Sequence, residues 1–154
     1  MDEQMLKVQK IKNGIVIDHI PCGMSLKVLK ILGIEGDIGS TVTLAMHVRS
    51  KNGWKDIVKI EDRYLDEKEI DKIALIAPNA TVNVVENYRV TTKHRVKTPE
   101  LVKGIVKCMN PRCISNHNEP IVPEFYTVSK EPIIIKCKYC GREMHSKDIV
   151  ENII

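Results

Sequence analysis

Four of the chain's five cysteines stand as two close pairs, Cys108-Met-Asn-Pro-Arg-Cys113 and Cys137-Lys-Tyr-Cys140, with 23 residues between the pairs. Each short loop can present two sulfurs to one ion, and four soft thiolates at such spacings suit tetrahedral Zn²⁺. An iron–sulfur centre uses the same ligands and stays open at this point, as does a set of buried free thiols. A four-thiolate site leaves no position for water, so it holds structure rather than performing chemistry. His117 and His145 lie near these cysteines in sequence, but the four-thiolate count is already full. The segment that carries the cysteines, from Thr98 to Ile154, is under 60 residues and rich in proline. So small a piece buries little apolar surface and needs a staple.

The first 97 residues have a different grammar. Ile15 to Ile20 is a short β-branched run, ended by Pro21 and Gly23. Met24, Val28, Ile31 and Leu32 then recur at helical spacing, with Gly33 as a stop. Thr41 to Val48 alternates, Asn52-Gly53 marks a hairpin, and Asp56 to Glu61 returns. A second helix is expected from Asp66 to Ala77, before Pro78, and a last strand over Thr81 to Glu86. The order βαββαβ predicts an α+β, ferredoxin-like antiparallel sheet with two helices on one face and strand order 4-1-3-2. Leu6 to Lys12 is a candidate fifth strand. Tyr88 to Lys97 reads as a basic turn, and Thr98-Pro99 sets the boundary between residues 1–97 and a small all-β, zinc-ribbon-like domain over 98–154.

Ile and Val together make 37 residues against six aromatics, which favours strands. The formal charge of +4 is mild for a nucleic-acid binder. After Thr98 there are eight Lys/Arg and seven Asp/Glu, so a tetrathiolate zinc leaves that domain at about −1. A ribbon neither basic nor aromatic is a poor nucleic-acid surface, and its apolar face suits a protein partner. No stretch approaches the ~20 apolar residues of a membrane span. The start Met1-Asp2-Glu3-Gln4 is unlike a signal peptide, and the expected location is the cytoplasm.

Within the first domain, Asp18 and His19 close an apolar strand, Lys59 interrupts Ile57-Val58-Lys59-Ile60, and Asn83 sits inside Val82-Asn83-Val84. With Lys93 they offer ammonium groups, a carboxylate and an imidazole, an inventory that fits a nucleotide. A solvated strand face is the competing reading of each residue alone. There is no glycine-rich phosphate loop and no catalytic constellation. Cys22 has only His19 as an evident base in sequence and reads as a packed or half-exposed thiol. Trp54 reads as a surface anchor. The alternative to a nucleotide-binding protein is a zinc-ribbon nucleic-acid or translation factor.

Ile17-Asp18-His19-Ile20-Pro21, Val58-Lys59-Ile60-Glu61, Ala77-Pro78-Asn79-Ala80-Thr81-Val82-Asn83 and the Cys108…Cys113…Cys137-Lys-Tyr-Cys140 frame resemble, in order and over nearly the whole chain, the regulatory chains of aspartate carbamoyltransferase. The resemblance implies a non-catalytic subunit of pyrimidine biosynthesis. It implies an N-terminal allosteric domain that binds CTP or ATP through Asp18, His19, Lys59, Asn83, Tyr88 and Lys93, with the backbone of Val8 to Ile11 beside the base. It further implies one structural zinc on the four cysteines, a homodimer of this chain, and a C-terminal domain that docks on the catalytic chain.

Overall fold

The computed structural model describes residues 10–36, 38–51, 53–117 and 120–154. Two compact units make up the chain: residues 1–66 with 79–96, and residues 67–78 with 97–154.

The first unit is built on one antiparallel sheet. Its strands are β1 (Gly14–Pro21), β2 (Val42–Ser50), β3 (Gly53–Glu61), β4 (Thr81–Glu86) and β5 (Arg89–Arg95), ordered β2-β3-β1-β4-β5. The expected order 4-1-3-2 is present, with β5 added outside β4. The sequence reading of Tyr88 to Lys97 as a turn is thus corrected: Arg89–Arg95 is a strand paired with β4. All its residues are exposed, so it lacks the apolar alternation by which a strand is recognised. The candidate strand over Leu6 to Lys12 lies largely outside the described residues.

Strand period two divides the sheet into faces. Ile15 and Ile17 on β1 oppose Ile60 and Val58 on β3 and Val84 and Val82 on β4. Ile15, Ile17, Val58 and Ile60 are fully buried. Helix α1 (Ser25–Ile31) packs on β3 and contributes the buried Val28. Gly14 opens β1 with φ of 141°, where a Cβ would run into the Ile60 carbonyl, so the close approach of β1 to β3 requires glycine.

Met24 gives α1 no side-chain cap. The buried Asp56 carboxylate of β3 caps it instead, accepting the amides of Gly23 (2.9 Å) and Ser25 (3.1 Å). It also accepts the His47 amide from β2 at 2.9 Å.

The second unit has a four-stranded antiparallel sheet of β6 (Leu101–Lys103), β7 (Glu124–Lys130), β8 (Ile133–Cys137) and β9 (Glu143–His145), in that order, closed by helix α3 (Ser146–Glu151). Helix α2 (Glu67–Ile76) precedes α3 in the chain and belongs to this unit. Its Leu75 joins Val102, Phe125, Ile135, Met144 and Ile149 in one buried cluster, and Lys72 Nζ donates to the Ile154 carbonyl at 2.8 Å. Both helices expected among the first four strands are present. In α2 the buried residues Ile73, Ala74, Leu75 and Ile76 run around the helix rather than along one stripe, so periodicity alone does not assign it a partner.

Candidate functional sites

The four cysteines converge. Their sulfurs all lie within 4.8 Å of one another, with Cys108 to Cys140 at 3.7 Å and Cys113 to Cys137 at 3.6 Å. Thiolates bound at ~2.3 Å around a tetrahedral ion stand ~3.8 Å apart, so the spacing fits such an ion. Two turns bring the pairs together. In one, Gly141 adopts φ of 77° and its amide reaches the Cys137 carbonyl at 3.0 Å, while the Cys137 amide reaches the Arg142 carbonyl at 2.9 Å. In the other, the Cys113 amide reaches the Asn110 carbonyl at 3.0 Å, and the Asn116 amide group donates to the carbonyls of Cys108 (2.8 Å) and Asn110 (2.7 Å).

Burial pushes the thiols of Cys108 and Cys137 up. Burial also acts upward on Cys140, but hydrogen bonds from the Arg142 amide, the Asn110 side chain and the neighbouring thiols outweigh it and hold Cys140 down to about 7. Four such groups give up protons when a cation binds, so acid opposes loading. Among the described residues neither His117 nor His145 joins the group: His117 Nε2 faces the Arg112 carbonyl at 3.4 Å, and His145 caps α3. Residues 118 and 119 lie outside the described residues.

In the first unit, the register aligns the polar strand residues. Val16 of β1 is directly opposite both Lys59 of β3 and Asn83 of β4, and Asn83 is opposite Lys93 of β5. Directly opposed residues project to the same face, so Lys59, Asn83 and Lys93 form one row across four strands. Two residues along β1, Asp18 is opposite Thr81, and Thr81 is opposite Arg95. A bulge between Ile17 and Ile20 puts His19 at φ of 59°. There its amide donates to Asp18 Oδ1 at 2.7 Å, and its Nδ1 lies 3.3 Å from Thr81 Oγ1.

Burial lowers the ionisation of the half-buried Lys59 from the ordinary lysine value. Asn83 Nδ2 donates to the Val16 carbonyl at 3.3 Å. Four of the six expected residues, Asp18, Lys59, Asn83 and Lys93, therefore share two adjacent rows, and His19, in the bulge beside Asp18, reaches Thr81 of the second row. Tyr88 stands apart, exposed in the two-residue turn of the β4–β5 hairpin, where Asn87 and Tyr88 have φ of 51° and 66°. Its amide donates to the Lys12 carbonyl at 2.9 Å, which sets the turn against the start of β1. Of the segment Val8 to Ile11, Val8 and Gln9 lie outside the described residues.

Sequence reasoning missed Lys55. Its Nζ is 2.9 Å from Asp18 Oδ1 and 3.2 Å from Oδ2. The spacing Lys55, Ile57, Lys59 puts the two lysines on one face of β3, a period-two signal that was present in the sequence. Arg95 was likewise read only as part of a basic turn.

Both halves of the chain match known proteins. Residues 6–97 match the family model of the aspartate carbamoyltransferase regulatory chain, allosteric domain, and residues 100–150 match that of the same chain's metal binding domain. Similar proteins include the aspartate carbamoyltransferase regulatory chains of Thermoplasma volcanium, 49% identical over 98% of this chain and 100% of the relative. That of Pyrococcus furiosus is 51% identical over 96% and 98%, and that of Methanothrix thermoacetophila is 52% identical over 94% of each. With both halves matched in order and about half of all residues identical, the chain belongs to the family of aspartate carbamoyltransferase regulatory chains.

Proposed function

We propose that this chain is a non-catalytic, cytoplasmic subunit that binds CTP or ATP on the polar face of its first sheet and passes the effect to a catalytic chain of aspartate carbamoyltransferase. The observation that carries the reading is the row Lys59–Val16–Asn83–Lys93, with Asp18 one row away and His19 in the bulge beside it. Cations at Lys59 and Lys93 suit the phosphates and ribose oxygens, and the Asp18 carboxylate suits hydroxyl groups. Tyr88, at the hairpin turn beside Lys12, serves the base end together with the backbone of Val8 to Ile11.

The four cysteines hold one Zn²⁺, through Cys108, Cys113, Cys137 and Cys140. The full tetrahedral ligand set makes that ion structural, and it supplies folding free energy to the second unit. Docking on the catalytic chain is supported by apolar residues exposed there: Leu101 is directly opposite Tyr126, and Val128, in a bulge of β7, is exposed as well. The chain works as a homodimer with no nucleic-acid partner.

The test is calorimetric binding to the full chain. CTP and ATP compete for one site, and Lys93→Ala weakens the triphosphate more than the nucleoside. A charge-assisted contact is worth about 1.5–3 kcal/mol, so CTP binding falls roughly 10- to 100-fold while cytidine binding barely changes. Equal losses for CTP and cytidine would remove Lys93 from the phosphate role. Failure of CTP and ATP to compete would remove the shared site.

A further inference from the structure

Cys22 belongs to neither site. It follows Pro21 at the end of β1 and is exposed, with its Sγ 3.2 Å from His47 Nδ1. The base is therefore not His19, the only candidate visible in sequence, but a histidine from the neighbouring hairpin.

His47 is held by several independent contacts. It occupies a bulge of β2 between Ala45 and Val48, at φ of 60°. Its ring stacks on Trp54 with centroids 4.0 Å apart and planes at 13°. Arg49 lies over the same indole, 5.8 Å from its centroid. The buried Asp56 carboxylate accepts both the His47 amide and the amide of Gly23, the residue after Cys22. One buried anchor thus fixes the backbone on both sides of the sulfur–nitrogen contact.

A thiol within reach of an imidazole, with the imidazole oriented by further groups, is the arrangement that activates a nucleophile. A metal is a poorer fit. Among the described residues the pair gains no third cysteine, histidine or carboxylate at ligating distance, and a tetrahedral site needs more. Because the thiol is exposed, a small reagent reaches it without an opening motion.

We propose that Cys22 is a site of reversible S-thiolation by low-molecular-weight disulfides, with His47 as its general base. In the step, His47 Nδ1 takes the Cys22 proton as the sulfur bonds to one sulfur of the disulfide. The S–S bond of the reagent breaks, and its other half leaves as a thiolate. That thiolate takes the proton from His47 and departs as a thiol. One disulfide is exchanged for another, and an excess of free thiol drives the reaction back.

The experiment treats the metal-loaded full chain with 2-hydroxyethyl disulfide, a neutral probe, at pH 7, and follows adducts by peptide mass spectrometry. A synthetic peptide covering residues 17–26 gives the rate of the same thiol without His47. We expect modification of Cys22 at least about tenfold faster in the protein than in the peptide, as general-base assistance requires, and reversal by dithiothreitol. His47→Asn, which tolerates the left-handed backbone, brings the rate down to that of the peptide. A protein rate equal to the peptide rate would overturn the proposal, and needs no variant. So would an unchanged rate in a folded His47→Asn chain, or adducts confined to the cysteines of the second unit.

Discussion

Burial alone would push the Asp56 carboxyl above the usual carboxylate range, but hydrogen bonds from the amides of His47, Ser25 and Gly23 outweigh that effect and hold it below. A carboxylate lowered by folding contributes stability that is fully present above its unfolded value, about 3.9, and is lost as pH falls through the folded value. Asp56→Ala leaves three amides without their acceptor and should destabilise the first unit by about 2–4 kcal/mol at pH 7. In acid the gap between wild type and variant should close. Urea unfolding followed by Trp54, the single tryptophan, reads the first unit alone; an equal gap at pH 7 and pH 3 would refute the account. Asp56 was legible only as the first residue of a strand. Nothing in its neighbours says that two of its three amide partners lie 31 and 33 residues upstream and the third nine. Lys59 and Asn83 were visible because a polar residue interrupts an apolar strand. The contact of Cys22 with His47 was hidden because a bulge and a positive φ remove His47 from the strand's alternation.

Among the elements, the strands with one buried face were readable, and β1, β3 and β4 lie where alternation puts them. Strand β5 was not, since pairing with β4 rather than burial makes it a strand. The two turns of the metal site were readable from cysteine spacing, and Gly141 adopts the positive φ that its place after Cys140 suggests. These turns should depend on the ion. Cys108, Cys113 and Cys137 belong to the buried cluster of the second unit, and a structural zinc contributes on the order of 10 kcal/mol in small sites. Cys137→Ala, or extraction by a mercurial, should therefore unfold residues after Thr98 and abolish assembly with the catalytic chain. Retained amide dispersion for that segment in the metal-free chain, together with retained assembly, would show that the protein core suffices.

At the scale of the whole molecule, the proposed function separates binding from transmission. A nucleotide acts on a distant catalytic site only through different affinity for two states of the assembly. Lys59 is on β3, an interior strand of the sheet, and Lys93 is on the outer strand β5. Lys59→Ala should remove on the order of 1 kcal/mol of coupling, lowering the nucleotide effect several-fold even at saturation. The aspartate saturation curve of the reconstituted complex, with and without saturating CTP or ATP, measures this. A full maximal response with only the nucleotide midpoint displaced would make Lys59 a plain affinity contact. The change of grammar near Thr98 was legible in the sequence, whereas the place of Leu75 in the second unit's buried cluster was not, because a helix buried on several sides carries no directional stripe. The exposed strand β5 has one more consequence. It is an outer strand of the first sheet and carries Arg89, Lys93 and Arg95. An outer strand invites other chains to add to the sheet, and positive side chains along it repel that addition. The cations along β5 therefore protect the subunit from aggregation whatever else they contact, so substitutions that neutralise several of them would lower solubility.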